Sequence, residues 1–351
     1  MQSESHPEIA ALTAVSARLG RNPLLVQAAS GNTSIKLDGV LWIKASGKWL
    51  ARAGQEEMFV PLDLDETKAG VERGLDLARV PARAADDLRP SIETAMHAVI
   101  PHCATIHVHS VNVIAWAVRK DGRARCAERL AGLEWQWIPY VSSGLPLARE
   151  VRKRLALAPR TKVFVLANHG LVVCGDDILE AEALLLEVEQ RLAIRPRQAP
   201  QPSAEVLEQV IAGSSWSLPD REVVHALGTD AISRAILQAG TLYPCQAIFL
   251  GPRVAVWPVP MPPAREARGR LRQAAPQFIL VEDRGVIVSK AMNGAGREML
   301  SGLAEVVQRL DSQAHLRYLT GPELDLVLSE DAHHYRGLVE QGGSCARRAS
   351  A

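Results

Sequence analysis

The spacing of apolar residues predicts alternating helices and strands in the first half of the chain. Between residues 6 and 20, apolar side chains recur every three or four positions, as on the buried face of a helix. Residues 30–47 carry β-branched runs punctuated by glycine, which predicts two strands joined at Asp38 and Gly39. The same reasoning predicts an α/β fold from these further elements: helices over 91–100 and 177–193, and strands over 104–110, 163–167 and 171–174.

A proline-rich segment interrupts this pattern and predicts two domains. Residues 195–203 hold three prolines and little that could be buried, so we expect a linker there. The larger domain is expected over 1–194 and a smaller α/β domain over 204–341. The last ten residues, 342–351, are expected to form a frayed tail.

Composition excludes several classes of partner. Of the 351 residues, 40 are Lys or Arg and 39 are Asp or Glu, so the net charge of +1 gives no reason to expect nucleic acid or an anionic membrane. No uninterrupted apolar run reaches the ~18 residues of a membrane-spanning helix, and the N-terminus does not resemble a signal peptide. The five cysteines show no C-x-x-C spacing, which favours reduced thiols in a cytoplasmic protein.

Three histidines are candidate metal ligands. His107 and His109 lie two positions apart in the predicted strand TIHVHS, so both side chains project to the same face. His169 lies beside Gly170 at a turn, where an exposed ligand is expected rather than a buried structural histidine. Three imidazoles leave one coordination position open, as a catalytic zinc site requires.

Glu93, in PSIETAMH, lies near the start of the helix that precedes the histidine strand. Its carboxylate has three possible roles: a fourth metal ligand, a general base, or a favourable charge at a helix N-terminus. Two glycine-containing segments, SGNTS at 30–34 and ASG at 45–47, have the composition of phosphate-binding loops, although such clusters are also common in plain turns. Lys44 and Lys48 flank the second segment and could add positive charge.

The two predicted domains share a faint repeat. VFVLANHGLVVCG at 163–175 and FILVEDRGVIVSK at 278–290 are each followed by a predicted helix. The second domain is therefore either a degenerate copy of this strand–turn–strand–helix unit or an independent use of a common one. Arg284 takes the position of His169, and no H-x-H precedes it within the second domain, so this domain is not expected to hold the same metal site.

The motifs GNTS, KASG, PSIE-x3-H, H-x-H and NHG occur in the order and spacing of the class II aldolase/adducin superfamily, which residues 8–193 resemble. The C-terminal half resembles the region that follows the aldolase core in fused rhamnulose-phosphate aldolase/dehydrogenase proteins. GAGREM at 294–299 is not a full G-x-G-x-x-G, so no dehydrogenase domain is expected. The resemblance implies a three-layer fold with a central, mostly antiparallel sheet covered by helices, and a cytoplasmic homotetramer with its site near a subunit boundary.

By resemblance to fuculose- and rhamnulose-phosphate aldolases, His107, His109 and His169 bind Zn²⁺ or another divalent metal. Glu93 is then the fourth ligand at rest and the base in turnover, and Tyr140 handles the proton at the aldehyde end. The positions that match phosphate-binding residues are Asn32, Ser46, Gly47 and Ser91. These aldolases often have a second serine before the glutamate; here it is Ile92, so one phosphate donor is absent.

The resemblance implies a metal-dependent lyase that cleaves or forms a carbon–carbon bond in a small phosphorylated sugar or sugar acid through an enediolate. Decarboxylation of a 3-oxo-tetronate 4-phosphate and dehydration of a sugar phosphate remain alternatives on the same site. The presence of Glu93 disfavours the related 4-epimerases, which are expected to lack it. An adducin-like scaffold is the alternative without catalysis, and the complete ligand set argues against it.

Overall fold

The computed structural model describes residues 6–75, 88–258, 276–329 and 337. The chain divides into two compact units. Unit 1 comprises Met1–Ala117, Asp121–Ala193 and His334–Ala351, and unit 2 comprises Val118–Lys120 and Ile194–His333. The domain boundary expected at 195–203 stays a prediction, and the expected tail at 342–351 lies outside the described residues.

Unit 1 is built on a mostly antiparallel sheet. Seven strands of the described residues follow the order β3-β2-β1-β4-β7-β6-β5, and all neighbours are antiparallel except the parallel pair β5 and β6. The strands are β1 (Asn32–Leu37), β2 (Val40–Lys44), β3 (Phe59–Asp63), β4 (Ala104–Val108), β5 (Trp135–Ile138), β6 (Val163–Leu166) and β7 (Gly170–Gly175). This confirms the expected α/β fold and the antiparallel character of its central sheet.

Helices cover both faces of this sheet. α1 and α7 pack against β1, β4 and β7 on one face, where Ser16 and Thr33 share a hydrogen bond of 2.6 Å. On the other face, a buried cluster that includes Met96, Val151 and Phe164 joins α3 and α6 to β5, β6 and β7. The helices are α1 (Pro7–Gly20), α2 (Leu64–Glu72), α3 (Thr94–Val99), α4 (Val111–Ala117), α5 (Gly122–Arg129), α6 (Leu145–Leu157) and α7 (Ile178–Arg191), with a 3-10 turn at Leu50–Arg52.

Local sequence signals explain where several elements begin and end. Asp38 and Gly39 have φ of 50° and 77° and form the predicted turn between β1 and β2. Asp177 caps α7 by accepting hydrogen bonds from the first-turn N–H groups. Two predicted elements are shorter than expected, because the helix over 91–100 begins only after Glu93 and the strand over 104–110 ends at Val108.

Unit 2 contains a smaller sheet of four described strands in the order β8-β11-β10-β9. Its strands are β8 (Trp216–Ser217), β9 (Ala255–Trp257), β10 (Phe278–Val281) and β11 (Gly285–Ser289). Its helices are α8 (Ala204–Ile211), α9 (Ala226–Thr229), α10 (Ala231–Ala239), α11 (Pro244–Leu250), α12 (Gly294–Gln308) and α13 (Gly321–Val327), with a 3-10 turn at Glu222–His225. None of the helices in the described ranges has the length and apolar character that crossing a bilayer requires.

Candidate metal centre

Three histidines converge at one end of the unit 1 sheet. His107 lies on β4, His109 lies just beyond the end of β4, and His169 lies in the turn between β6 and β7. One ligand nitrogen from each ring lies within 4.8 Å of the others, and the ring centroids are 4.9–5.0 Å apart. In the described part of the chain this is the one group of three or more His, Cys, Asp or Glu side chains arranged to hold a metal ion.

The expectation that His169 is exposed is wrong, since its exposed fraction is 7%. The cause is the close approach of β4 to the β6–β7 turn. A Cβ at Gly170 would lie 2.5 Å from the carbonyl oxygen of Val108, so only glycine lets the two backbones come this near. The same approach brings His169 to the end of β4, where His109 follows the strand.

The Glu93 carboxylate lies between two of the histidines. Its Oε2 is 3.2 Å from Nε2 of His107, and its Oε1 is 3.3 Å from Nε2 of His169. Glu93 occupies the N-cap position of α3, but its side chain makes no capping hydrogen bond there. Its position therefore favours a role in the histidine cluster over that of a helix-terminal charge.

The hydrogen bond made by His107 leaves its other ring nitrogen available to bind a metal ion. Its Nδ1 donates to the carbonyl oxygen of Leu171 at 3.0 Å, because a carbonyl oxygen can only accept. In the neutral ring Nε2 then carries a bare lone pair, and it is buried without a hydrogen-bond partner. A bare lone pair and a carboxylate oxygen 3.2 Å apart are an unfavourable pair, which a metal ion or a proton on Nε2 would relieve. Metal-bound histidines commonly donate their second ring N–H to a carbonyl group in this way.

Burial keeps the other two histidines neutral. It lowers the pKa of His169 to about 4 and holds the pKa of His109 well below its usual range. Neutral imidazole is the form that binds metals. For Glu93, burial alone would raise the pKa, but the net shift is downward because His107 and His169 lie close by and Asn32 donates a hydrogen bond. The carboxylate is therefore anionic, and the residues present fit a divalent cation.

The segments predicted to bind phosphate lie together beside Glu93. Ala45 and Pro90 form a β-bridge, and Ser46 donates its N–H to the carbonyl of Arg89 at 2.8 Å, which places Ser46 and Gly47 near Ser91. Asn32 pairs with His107 across β1 and β4, and its side chain donates to Ser91 Oγ at 3.1 Å. The structure brings all four residues to one region, and their role as phosphate ligands stays a proposal.

Three further side chains, those of Ile92, Lys44 and Lys48, lie close in sequence to the residues predicted to bind phosphate. Ile92 exposes 43% of its surface between the buried residues Ser91 and Glu93, so an apolar group stands where a serine was expected from the resemblance. Lys44 is buried and donates to the carbonyl of Ala29 at 2.8 Å, and burial lowers its pKa to about 7. Lys48 pairs with Glu56 at 2.8 Å. Both lysines therefore have partners within the protein, and their expected contribution of positive charge stays a prediction.

The loop that follows β5 brings one residue that sequence reasoning missed. Ser143 donates its hydroxyl to Glu93 Oε1 at 3.3 Å. Tyr140 lies half-buried in the same loop, and its role in proton transfer stays a proposal. The sequence SSG at 142–144 resembles an ordinary turn, and the 50 residues between Ser143 and Glu93 leave no local signal of their contact.

Comparison with known proteins gives a consistent family assignment for this region. Residues 10–195 match the sequence profile of the Class II Aldolase and Adducin N-terminal domain. The chain is also 29% identical over 174 residues to the 3-oxo-tetronate 4-phosphate decarboxylase of Haemophilus influenzae, a match that covers 46% of this chain and 74% of that protein.

Two further proteins are similar to part of this chain. The uncharacterized oxidoreductase YuxG of Bacillus subtilis is 29% identical over 166 residues, 42% of this chain, and the match spans only 23% of that longer protein. Among solved structures, the N-terminal class II aldolase domain of a conserved Thermoplasma acidophilum protein is 23% identical. It superposes with a TM-score of 0.47 over 55% of this chain and 97% of that one.

Proposed function

We propose that this chain, which belongs to the Class II Aldolase and Adducin N-terminal domain family, is a divalent-metal-dependent carbon–carbon lyase of the aldolase type. Its substrate would be a small phosphorylated sugar, and the preferred metal zinc. One observation carries the proposal: three buried histidines converge within 4.8 Å, and a buried carboxylate lies against two of them.

His107, His109 and His169 would hold the metal, with Glu93 as a fourth ligand before substrate binds. A divalent cation held there would supply Lewis-acid stabilisation of the negative charge that develops when a bond next to a carbonyl group breaks. Burial keeps His109 and His169 neutral, and the three rings already converge within 4.8 Å, so metal binding would require little reorganisation of the protein.

Glu93 would act as the base during turnover. In the metal-free site burial would raise its pKa, but His107 and His169 nearby and the hydrogen bond from Asn32 hold it low. A substrate that displaces the carboxylate from the cation would raise this pKa and allow Glu93 to accept a proton. Tyr140 would handle the proton on the aldehyde oxygen. The phosphate would lie beside Asn32, Ser46, Gly47 and Ser91, the group that adjoins Glu93.

A second candidate is decarboxylation of a 3-oxo-tetronate 4-phosphate. The named decarboxylase of Haemophilus influenzae shares 29% identity over 174 residues, and the match spans 74% of that protein. Loss of carbon dioxide next to a carbonyl group leaves the same kind of negative charge as aldol cleavage, so the same metal ligands would serve both reactions. Decarboxylation removes no proton, and an acid must instead return one to the carbon. An adducin-like scaffold is disfavoured by the buried ligand set.

Family membership also supports a cytoplasmic homotetramer, and light scattering of the purified protein tests its stoichiometry. The reaction is tested with zinc-loaded protein on a panel of ketose 1-phosphates and 3-oxo-tetronate 4-phosphates, with dihydroxyacetone phosphate, aldehyde and carbon dioxide measured together. His107→Ala is the inactive control, and Arg284→Ala, at the equivalent turn of unit 2, is the matched control.

Dihydroxyacetone phosphate and an aldehyde, both lost in His107→Ala, are the expected result. Carbon dioxide without an aldehyde would instead support the decarboxylase. If zinc-loaded protein released none of these products from any substrate in the panel, both reactions would be wrong, and dehydration of a sugar phosphate would become the leading hypothesis.

A further inference from the structure

A continuous chain of buried hydrogen bonds leads from Glu93 into unit 1. The amide nitrogen of Asn32 lies 2.8 Å from Glu93 Oε2, and the amide oxygen of Asn32 lies 2.5 Å from Nε2 of His97. The other ring nitrogen of His97, Nδ1, lies 2.6 Å from the hydroxyl of Ser34. All four side chains are buried. His97 lies one helical turn beyond Glu93 on α3.

The chemistry of these groups fixes the direction of every bond. An ionised carboxylate can only accept, so the NH₂ end of the Asn32 amide must face Glu93 and its oxygen must face His97. Nε2 of His97 must then carry a proton, because an amide oxygen also only accepts. Burial lowers the pKa of His97 to about 3, so the ring is neutral and its Nδ1 accepts from Ser34.

Each donor in this chain therefore points towards Glu93. Aligned hydrogen bonds in a buried setting polarise one another, so the chain strengthens the final bond from Asn32 to the carboxylate. The second amide N–H of Asn32 donates to Ser91 Oγ at 3.1 Å. Because both N–H groups of Asn32 are engaged, its side chain can contact a substrate phosphate only by giving up one of these bonds.

We infer that His97 is a positioning residue, which orients the Asn32 amide and thereby holds the Glu93 carboxylate between His107 and His169. The inference deepens the proposed function and rests on it for the role of Glu93 in turnover. Without the N–H of His97, the Asn32 amide can rotate, and Oε2 of Glu93 then loses the hydrogen bond that Asn32 donates.

The two oxygens of Glu93 are held in different ways. Oε2 is held by Asn32 at 2.8 Å, from the buried side, with His97 and Ser34 behind it. Oε1 is held by Ser143 at 3.3 Å, from a half-buried loop. The longer bond from the more exposed side is the weaker restraint, so Ser143→Ala offers a second variant that removes one hydrogen bond from the same carboxylate.

Two substitutions of His97 distinguish its hydrogen bond to Asn32 from its contribution to packing. In His97→Gln, the side-chain amide nitrogen lies close to the former Nε2 and can still donate to Asn32. In His97→Asn, the shorter amide reaches only the position of Nδ1, so contact with Ser34 is possible and contact with Asn32 is lost. Both variants keep a polar, uncharged group in the same space, and they differ in whether Asn32 has a donor.

Two readouts test the inference without any assay of turnover. The first is zinc affinity, measured by competition with a chromophoric chelator, together with the melting temperature of the metal-free variants. We expect His97→Asn to weaken zinc binding by about 10–100-fold, as is typical when a residue that hydrogen-bonds to a metal ligand's surroundings is removed. His97→Gln should keep most of the zinc affinity of the wild type. Ser143→Ala should have a smaller effect than His97→Asn. The melting temperatures of the two His97 variants should be similar.

The second readout is a pair of crystal structures of the metal-free His97→Gln and His97→Asn proteins. Glu93 should remain between His107 and His169 in the first and leave this position in the second. The inference is overturned if Glu93 and Asn32 keep their places in His97→Asn, or if zinc affinity follows the melting temperature in both variants. A failure of the lyase proposal would appear separately, as zinc-bound protein without products.

Discussion

The β6–β7 hairpin of unit 1 and the β10–β11 hairpin of unit 2 have the same turn length and strand register but different chemistry. Leu166 pairs with Gly170 in the first, and Val281 pairs with Gly285 in the second, so both turns contain three residues. The middle turn residue has φ of 52° in Asn168 and 57° in Asp283. Each hairpin also has a parallel neighbour, β5 or β9.

The backbone hydrogen bonds of the two turns also correspond. The first turn residue donates its N–H to the end of the parallel strand at 2.9 Å in both units, to Ile138 in one and to Trp257 in the other. The middle residue donates to Ala117 at 3.1 Å in unit 1 and to Gly228 at 3.0 Å in unit 2. The sequence repeat thus corresponds to one supersecondary unit used twice, and the choice between common origin and independent use stays open.

The difference lies in the third turn residue and in the strand beside it. His169 faces Glu93 in unit 1, whereas Arg284 lies 3.3 Å from the hydroxyl of Ser203 in unit 2. β8 ends at Ser217, so its pairing with β11 stops before the level at which His107 lies beside β7, and the residues that follow it begin with Leu218. The hairpin therefore supplies a position for a ligand, and the side chains around it decide whether a metal site exists.

The largest expected effect comes from removing the third turn residue in each unit. His169→Ala should abolish tight zinc binding and lower lyase activity by at least about 100-fold, because it removes one of three protein ligands. Arg284→Ala should leave zinc content and activity unchanged. Metal analysis and steady-state kinetics measure both. Equal losses in the two variants would contradict the assignment of the site to unit 1.

The glycine that follows the turn gives the next effect. In Gly170→Ala the new Cβ would lie 2.5 Å from the Val108 carbonyl oxygen, so β4 must move away. In Gly285→Ala it would lie 2.6 Å from Nδ1 of His225, at a backbone φ of 134° that favours glycine. Each change should lower the free energy of unfolding by about 1–3 kcal/mol.

Only Gly170→Ala should also weaken zinc binding, because Val108 lies between His107 and His109. Denaturant unfolding of the metal-free proteins and zinc titration of each variant provide the measurements. Unchanged zinc affinity in Gly170→Ala would show that the close approach of β4 to the turn does not set the ligand geometry.

Local pattern was enough to predict the hairpins but not the environment of the ligands. Turn residues such as Asp38 and Gly39, and the alternating strand that carries His107, gave correct elements because such signals act within a few residues. The burial of His169 and the link from Ser143 to Glu93 depend on contacts between distant segments. Their positions follow from tertiary packing, which single-sequence periodicity does not contain.

Buried charge near the site provides a smaller, pH-dependent effect. Burial lowers the pKa of Lys44 to about 7 in the folded protein, from 10.5 when exposed. Between these values the unfolded chain binds more protons than the folded one, so the contribution of Lys44 to the free energy of unfolding rises with pH from about 7 upwards. Lys290, which follows β11 in unit 2, is exposed.

Denaturant unfolding of metal-free protein at pH 7 and pH 9 measures this contribution. Relative to Lys44→Met, the wild-type protein should gain about 1–2 kcal/mol of stability over this interval. Lys290→Met serves as the control and should show the same pH dependence as the wild type. A difference between wild type and Lys44→Met that is constant with pH would mean that Lys44 keeps its ordinary pKa in the folded state.

The smallest expected effect is that of Arg284→His, which makes the two turns alike in their third residue. We expect no second zinc ion per chain, because one imidazole at the turn is too few ligands for tight binding and the nearby carboxylate of Asp283 is paired with Arg234 at 2.7 Å. Zinc titration of the variant beside the wild type measures the stoichiometry. A second equivalent of tightly bound zinc would mean that the turn alone creates the site. One equivalent would instead locate the decisive difference in residues outside the turn.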